Sequence, residues 1–209
     1  MQGVLSKRQV FILSAPSGAG KTSLAKALVD ALPNTVMSIS HTTRDRRPGE
    51  VHGGDYYFVG REEFENLISE GSFLEYAQVF DNFYGTLRST VDELLEAGNN
   101  VILDIDWQGA REVRRQLPGV VSIFVVPPSL VELERRLRDR GQDPDQVIAR
   151  RMRQAIDEMR HHGEYDYLIR NDHFQAAFED LVHIVSDRPE HIRPTGPDME
   201  LLLGDTNSG

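Results

Sequence analysis

Between the apolar run Val10-Phe11-Ile12-Leu13-Ser14 and a stretch with Leu24, Ala27, Leu28 and Ala31 at helical spacing lies Ala15-Pro16-Ser17-Gly18-Ala19-Gly20-Lys21-Thr22. This segment fits the G-x-x-x-x-G-K-[ST] phosphate loop, except that Ala15 takes the place of the first Gly. A strand that ends in such a loop and feeds a helix commits the chain to an α/β architecture, because the loop needs the strand to present it and the helix N-terminus behind it. Gly18 and Gly20 let backbone N–H groups curl around phosphate oxygens. Lys21 reaches the terminal phosphates, and the Thr22 hydroxyl suits Mg2+.

The same alternation returns at Val101 to Asp106 before a helical Ala110 to Leu117, and at Val120 to Val126 before Leu130 to Arg140. Apolar runs without polar alternation indicate strands covered on both faces, as in a parallel sheet with crossover helices. Ser129 and Glu132 form a capping box at the start of the third helix. Between the first two units the character changes. Ser38 to Tyr57 is rich in Thr, Arg, Gly and Tyr, and Tyr56 to Val59 and Phe73 to Phe80 read as short strands of an inserted subdomain. Arg135 to Arg160 is dominated by Arg with interspersed acids, which predicts a helical segment making little core and free to move. Tyr167 to Arg170 reads as a last strand, His173 to Val185 as a closing helix, and residues 189–209 as a flexible tail.

Asp104 and Asp106 close the second apolar strand, and residues two apart on a strand point to one side. They fall at the C-terminal strand edge, where open α/β sheets bind ligands. Asp104 suits support of Mg2+, directly or through water; simple capping of the next helix is the alternative. Composition removes other chemistries. The 209 residues contain no Cys, which rules out disulfides, thiolate zinc sites and thiol nucleophiles, and 39% hydrophobic content suffices for one core without staples. The excess of 33 acidic over 23 basic residues argues against nucleic acid or an anionic membrane as partner. No stretch approaches the roughly 20 apolar residues of a membrane span, and Met1 to Arg8 lacks a secretory apolar run, so a cytoplasmic location is expected. The seven His show no metal-ligand spacing.

With Ser40-His41-Thr42-Thr43-Arg44-Asp45-Arg46-Arg47-Pro48-Gly49-Glu50 and Gly53-Gly54-Asp55-Tyr56-Tyr57-Phe58, the sequence resembles the guanylate kinases. Phe73-Leu74-Glu75, Asn82-Phe83-Tyr84-Gly85-Thr86, Ile102 to Gly109, Pro127-Pro128-Ser129, Arg136-Leu137, Arg140-Gly141 and Asn171-Asp172 follow in the family's order. Arg46, Arg170 and His173 depart from its usual residues. The resemblance implies transfer of the γ-phosphoryl group of ATP to GMP, and to dGMP, with Mg2+, in purine nucleotide metabolism. It implies a three-layer α/β P-loop NTPase core with a parallel sheet (about 1–38, 88–130 and 165–188), an inserted mixed β/α GMP-binding subdomain (about 39–87) and a helical lid (about 131–164).

Guanine presents N1–H and a 2-amino group as donors and O6 as acceptor. Glu75 and Asp106 supply carboxylates for the donors, and Ser40 and Thr86 supply hydroxyls for O6. By resemblance Arg44, Arg47, Tyr56 and Tyr84 hold the GMP phosphate, while Arg46 faces solvent. The resemblance likewise implies that Arg136, Arg140 and Arg151 converge on the ATP phosphates from the lid and that Asn171 lies near the adenine. Lys21, Arg44 and the three lid arginines form the expected catalytic set, with Thr22 and Asp104 toward Mg2+. A relative acting on a ribose bisphosphate and a noncatalytic interaction module are the competing readings. The guanine readers weigh against the first, and intact Gly18, Gly20, Lys21 and Thr22 against the second. A homo-oligomer is compatible with the sequence and not fixed by it.

Overall fold

The computed structural model describes residues 9–79, 81–139, 144–193 and 199–204. Phe80 and Arg140 lie outside these residues. In chain order the elements are β1 (Val10–Ser14), α1 (Lys21–Ala31), β2 (Thr35–Met37), β3 (His41–Thr42), β4 (Tyr57–Phe58), α2 (Arg61–Ser69), β5 (Phe73–Val79), β6 (Asn82–Leu87) and α3 (Arg88–Glu96). There follow β7 (Asn100–Asp104), α4 (Trp107–Gln116), β8 (Val121–Val126), α5 (Leu130–Asp139), α6 (Asp145–Met159), β9 (Tyr167–Arg170), α7 (Phe174–Val185) and α8 (Met199–Gly204). A five-stranded parallel sheet has the order β2-β7-β1-β8-β9, and a second, four-stranded sheet has the order β4-β3-β6-β5. The α/β class expected from the apolar runs is the one observed.

The chain forms two compact units, Met1–Phe11 with Asn34–Val121, and Ile12–Pro33 with Ser122–Gly209. In the first, β5 and β6 pair antiparallel, and β3 joins β6. The register shifts between Phe73 and Glu75, so that Phe73 faces Leu87 but Glu75 faces Thr86 and Leu74 is the extra residue of a bulge. Phe64 of α2 stacks on Phe73 and Phe83, with ring centroids 4.4 and 5.4 Å away. Gly85 leaves room for the Phe73 ring, whose carbons lie 2.9 Å from where a Gly85 Cβ would stand. Large rings beside a residue without a side chain close this small sheet without a void.

In the second unit α1 packs against α7. A separate cluster gathers Phe124 and Val126 of β8, Leu133 and Leu137 of α5, Ile148, Ala155 and Met159 of α6, and Met199 and Leu202 of α8. Two expectations are corrected here. The Arg-rich stretch from Arg135 to Arg160 does build core: Leu137, Ile148, Ala155 and Met159 recur on the buried sides of two amphipathic helices, with Arg135, Arg138 and Arg153 on the exposed sides. Nor is the stretch from 189 onward without fixed structure where it is described, since Met199–Gly204 is helical and buries Met199 and Leu202 on that cluster. Three or four apolar side chains in a short run escape a periodicity search yet suffice to dock a single turn.

Surface pairs follow i,i+3 and i,i+4 spacing as expected: Arg135 bonds Glu132 and Asp139, and Arg138 bonds Glu134. Ser129 caps α5 by accepting from the Glu132 N–H at 3.1 Å, while the Glu132 carboxylate is engaged by Arg135 and Arg136. Among the described residues no helix is long and apolar enough to cross a membrane.

Candidate active site

The phosphate loop leaves β1 and enters α1 through Gly18 and Gly20, at φ +95° and +98°. L side chains rarely adopt this region, and both glycines are also crowded. A Cβ on Gly18 would stand 2.8 Å from Leu133 Cδ1, and one on Gly20 2.4 Å from Asn171 Nδ2. Gly20 is the N-cap of α1 with no side-chain cap and no acidic residue in the first turn. The helix thus presents its N–H groups and positive dipole end without a built-in anion, the arrangement that accepts phosphate. Lys21 and the exposed Thr22 open the first turn.

Two residues distant in sequence hold this loop, and a third braces one of them. Asn171, 5% exposed at the end of β9, donates Nδ2–H to the Ala19 carbonyl at 2.7 Å. Arg151 Nη2 of α6 donates to Ser17 Oγ at 2.9 Å. Arg136 Nη2 of α5 donates to the Asn171 carbonyl at 2.9 Å while its Nε binds Glu132 at 2.8 Å. Asn171 is therefore directed at the loop backbone, and Arg136 and Arg151 are both gathered around the loop. Arg140 lies outside the described residues.

In the first unit, Glu75 is 4% exposed. Its Oε1 accepts from the Thr86 hydroxyl at 2.6 Å, and Ser40 Oγ lies 3.3 Å from Thr86 Oγ1. Burial, together with the nearby carboxylates of Asp106 and Glu112, raises the Glu75 carboxyl to about 7 against the pull of Thr86. Asp106 is the N-cap of α4, where Oδ1 accepts from the Gly109 N–H at 2.9 Å. This corrects the expectation that Asp104 and Asp106 share one side of a strand. The strand stops at Asp104, because the unsatisfied N–H groups of α4 recruit the Asp106 carboxylate as their cap. Asp104 remains at the C-terminal end of β7.

Gly109 adjoins both carboxylates, and sequence reasoning assigned it no role. A Cβ there would stand 2.5 Å from Glu75 Oε2. The run Asp106-Trp107-Gln108-Gly109 held the signal, a glycine where a helix interior disfavours one.

Arg44 Nη2 binds Glu50 Oε1 at 2.7 Å, and its guanidinium lies 5.5 Å from the Tyr56 ring centre and 5.7 Å from that of Phe58. The Glu50 bond is the main cause holding the Arg44 pKa above its usual value, with Tyr84 adding to it. Tyr56 and Tyr84 meet edge to face at 6.0 Å. One cation and two phenols therefore converge. Arg47 is exposed and contributes its backbone N–H to Glu50 Oε2 at 2.8 Å, and Arg46 is exposed as expected. Glu50, which sequence reasoning quoted without a role, organises the loop through both contacts.

The chain as a whole is similar to known proteins. The sequence model of the family described as guanylate kinase matches residues 7–188. The chain is 53% identical over 196 residues to a guanylate kinase of Methylococcus capsulatus, covering 94% of this chain and 96% of that one. It is also 53% identical over 191 residues to a guanylate kinase of Escherichia coli, covering 90% and 91%. A crystal structure of guanylate kinase from Anaplasma phagocytophilum superposes with a TM-score of 0.72 at 36% identity, covering 96% of this chain and 95% of that one.

Proposed function

The chain belongs to the guanylate kinase family and is an ATP:GMP phosphotransferase, and from this premise we propose which residues carry the reaction. ATP and GMP become ADP and GDP. The attacking atom is an oxygen of the GMP phosphate, already ionised near neutral pH, so no general base is needed. Catalysis then consists of alignment and charge neutralisation.

The buried Glu75 carboxylate, pinned by Thr86 and given room by Gly109, is the observation that carries the acceptor assignment. N1–H and the 2-amino group of guanine are the donors such a carboxylate calls for, shared with Oδ2 of Asp106, while Ser40 and Thr86 face O6. Adenine would set a lone pair against the carboxylate and leave buried groups unpaired. Arg44, Tyr56 and Tyr84, with Arg47 free to swing in, take the GMP phosphate. The readers address base and phosphate, so dGMP serves as an acceptor as well.

Residues 15–22 hold the ATP phosphates, with Lys21 and the lid arginines Arg136, Arg140 and Arg151 offsetting charge on the transferring group, and Asn171 bracing the loop from the adenine side. The Thr22 hydroxyl and the Asp104 carboxylate are each hard oxygen donors of the kind Mg2+ takes. Bound there, Mg2+ would supply charge neutralisation at the phosphates. The proposed organisation is a core of about 1–38, 88–130 and 165–188, a GMP-binding part of about 39–87 and a lid of about 131–164, at work in the cytoplasm in purine nucleotide recycling.

The test is ADP release from Mg-ATP with GMP, dGMP, AMP and ribose 1,5-bisphosphate as acceptors. Turnover with both guanine nucleotides and background with AMP is the expected result. AMP turnover within tenfold of GMP would remove the roles given to Glu75 and Asp106.

A further inference from the structure

Arg193 lies beyond residues 7–188, the part matched by the family. It is nevertheless heavily bonded. Its backbone N–H donates to Asp180 Oδ1 at 3.0 Å and its Nε to Asp180 Oδ2 at 2.6 Å. Nη1 donates to Asp172 Oδ1 at 2.9 Å and Nη2 to the Arg170 carbonyl at 2.8 Å. Asp180 belongs to α7 and is buried, so it is a fixed post rather than a surface partner. Burial alone would raise the Asp172 carboxyl, but Arg193 and the His173 N–H outweigh it and bring it to about 2.

The two outer nitrogens of the guanidinium therefore grip residues 170 and 172, on either side of Asn171. A planar fork with two separate acceptors fixes orientation as well as distance. Asn171 has little slack of its own. Its N–H donates to the Val126 carbonyl at 2.8 Å, its amide holds the Ala19 carbonyl, and the place of a Gly20 Cβ is 2.4 Å from its Nδ2. A shift of a few tenths of an ångström in the 170–172 turn must move either the Asn171 amide or the phosphate loop.

We propose that Arg193 is a positioning residue for ATP, acting through the 170–172 turn and Asn171 on the phosphate loop. The inference rests on the reading that residues 15–22 hold the ATP phosphates.

Steady-state kinetics of the full chain with Mg-ATP and GMP test it, each substrate varied at saturating levels of the other. Arg193→Gln is expected to raise KM for ATP about tenfold with KM for GMP unchanged. Arg193→Lys, which keeps the charge but not the fork, recovers part of the loss. Asp172→Asn, which leaves the bonds of Arg193 to Asp180 and to the Arg170 carbonyl in place, gives the same split more weakly and serves if Arg193→Gln does not fold. Arg193→Gln and Asn171→Ala combined should raise KM for ATP little more than Asn171→Ala alone, as expected of residues acting in series. A lower melting temperature with both KM values unchanged, or equal rises in both, overturns the inference. Lys21→Ala separates the two readings. If it is severely impaired while Arg193→Gln is kinetically silent, only the Arg193 inference fails; if it matches the wild type, the phosphate-loop reading fails first.

Discussion

Replacing Glu75 with Gln should make the protein more stable in alkaline buffer and nearly useless as a guanylate kinase. In the folded chain burial lifts the carboxyl from 4.5 to about 7. A raised carboxyl pKa means that the native state favours the protonated form, so this group's favourable contribution is complete below pH 4.5 and is lost as pH rises through 7. A shift of this size, about 2.5 units at ~1.36 kcal/mol each, corresponds to about 3 kcal/mol. Gln mimics the protonated carboxyl at every pH. The melting temperature of Glu75→Gln minus that of the wild type should therefore climb between pH 5 and 8.5, by roughly 6–12 °C at ~2–4 °C per kcal/mol for a chain of this length. Saturating GMP should reverse the ranking at pH 8, because guanine N–H donors offset the buried charge in the wild type and meet an amide in the variant. Paired thermal melts with and without GMP read both effects. A difference that stays flat from pH 5 to 8.5 would show that Glu75 titrates as an ordinary surface carboxyl, and the account of the base pocket would fall with it.

Lys21→Ala should cost at least ~10³ in kcat with the melting temperature little changed, and near-normal turnover by the folded variant would refute its role at the phosphates. Gly109→Ala puts a methyl 2.5 Å from Glu75 Oε2. It should raise KM for GMP by roughly 10–100-fold while KM for ATP holds, and an unchanged KM for GMP would mean the carboxylate lies elsewhere in solution. Met199→Ala should lower stability by about 2–3 kcal/mol in a denaturant titration; a change under ~0.5 kcal/mol would show that α8 does not close the cluster it packs on.

Much of this molecule can be read from the chain, and what escapes has physical causes. The apolar runs at Val10–Ser14 and Tyr167–Arg170 coincide with β1 and β9, because strands covered on both faces leave a signal that needs no partner to interpret. The helices α2 and α3 left none, since only Phe64 in one and Val91 in the other are buried. The strand β4 falls inside the expected Tyr56–Val59, whereas the two-residue β3 exists by pairing with β4 and β6, which no local window contains. In the site, Glu75 and Asp106 were expected from the donors that guanine offers, and Arg44 and the two tyrosines from the resemblance; the structure gathers Arg44, Tyr56 and Tyr84 in one place. Gly109 and Glu50 were not expected, since one matters for the space it leaves and the other for the arginine it holds. The Asp104–Asp106 pair shows the same limit. Period-two logic assumes a continuing strand, and the demands of α4's first turn ended it two residues early.

The bulge in β5 bears on how the gene for such a protein can change. Leu74 is the one residue in excess between Phe73, which stands opposite Leu87, and Glu75, which stands opposite Thr86. Deleting one of the codons for Tyr76 to Val79 would leave Glu75, Thr86, Ser40 and Asp106 all present in the translated chain. The excess residue would be absorbed into a regular ladder, setting Leu74 opposite Thr86 and Glu75 opposite Gly85, with the carboxylate turned to the opposite face of the sheet. A search for motif letters would still count every guanine reader in such a descendant, though its pocket would have lost the acceptor. Within the ladder, substitutions are therefore the tolerated course of drift, and length changes are confined to the bulge and the turn.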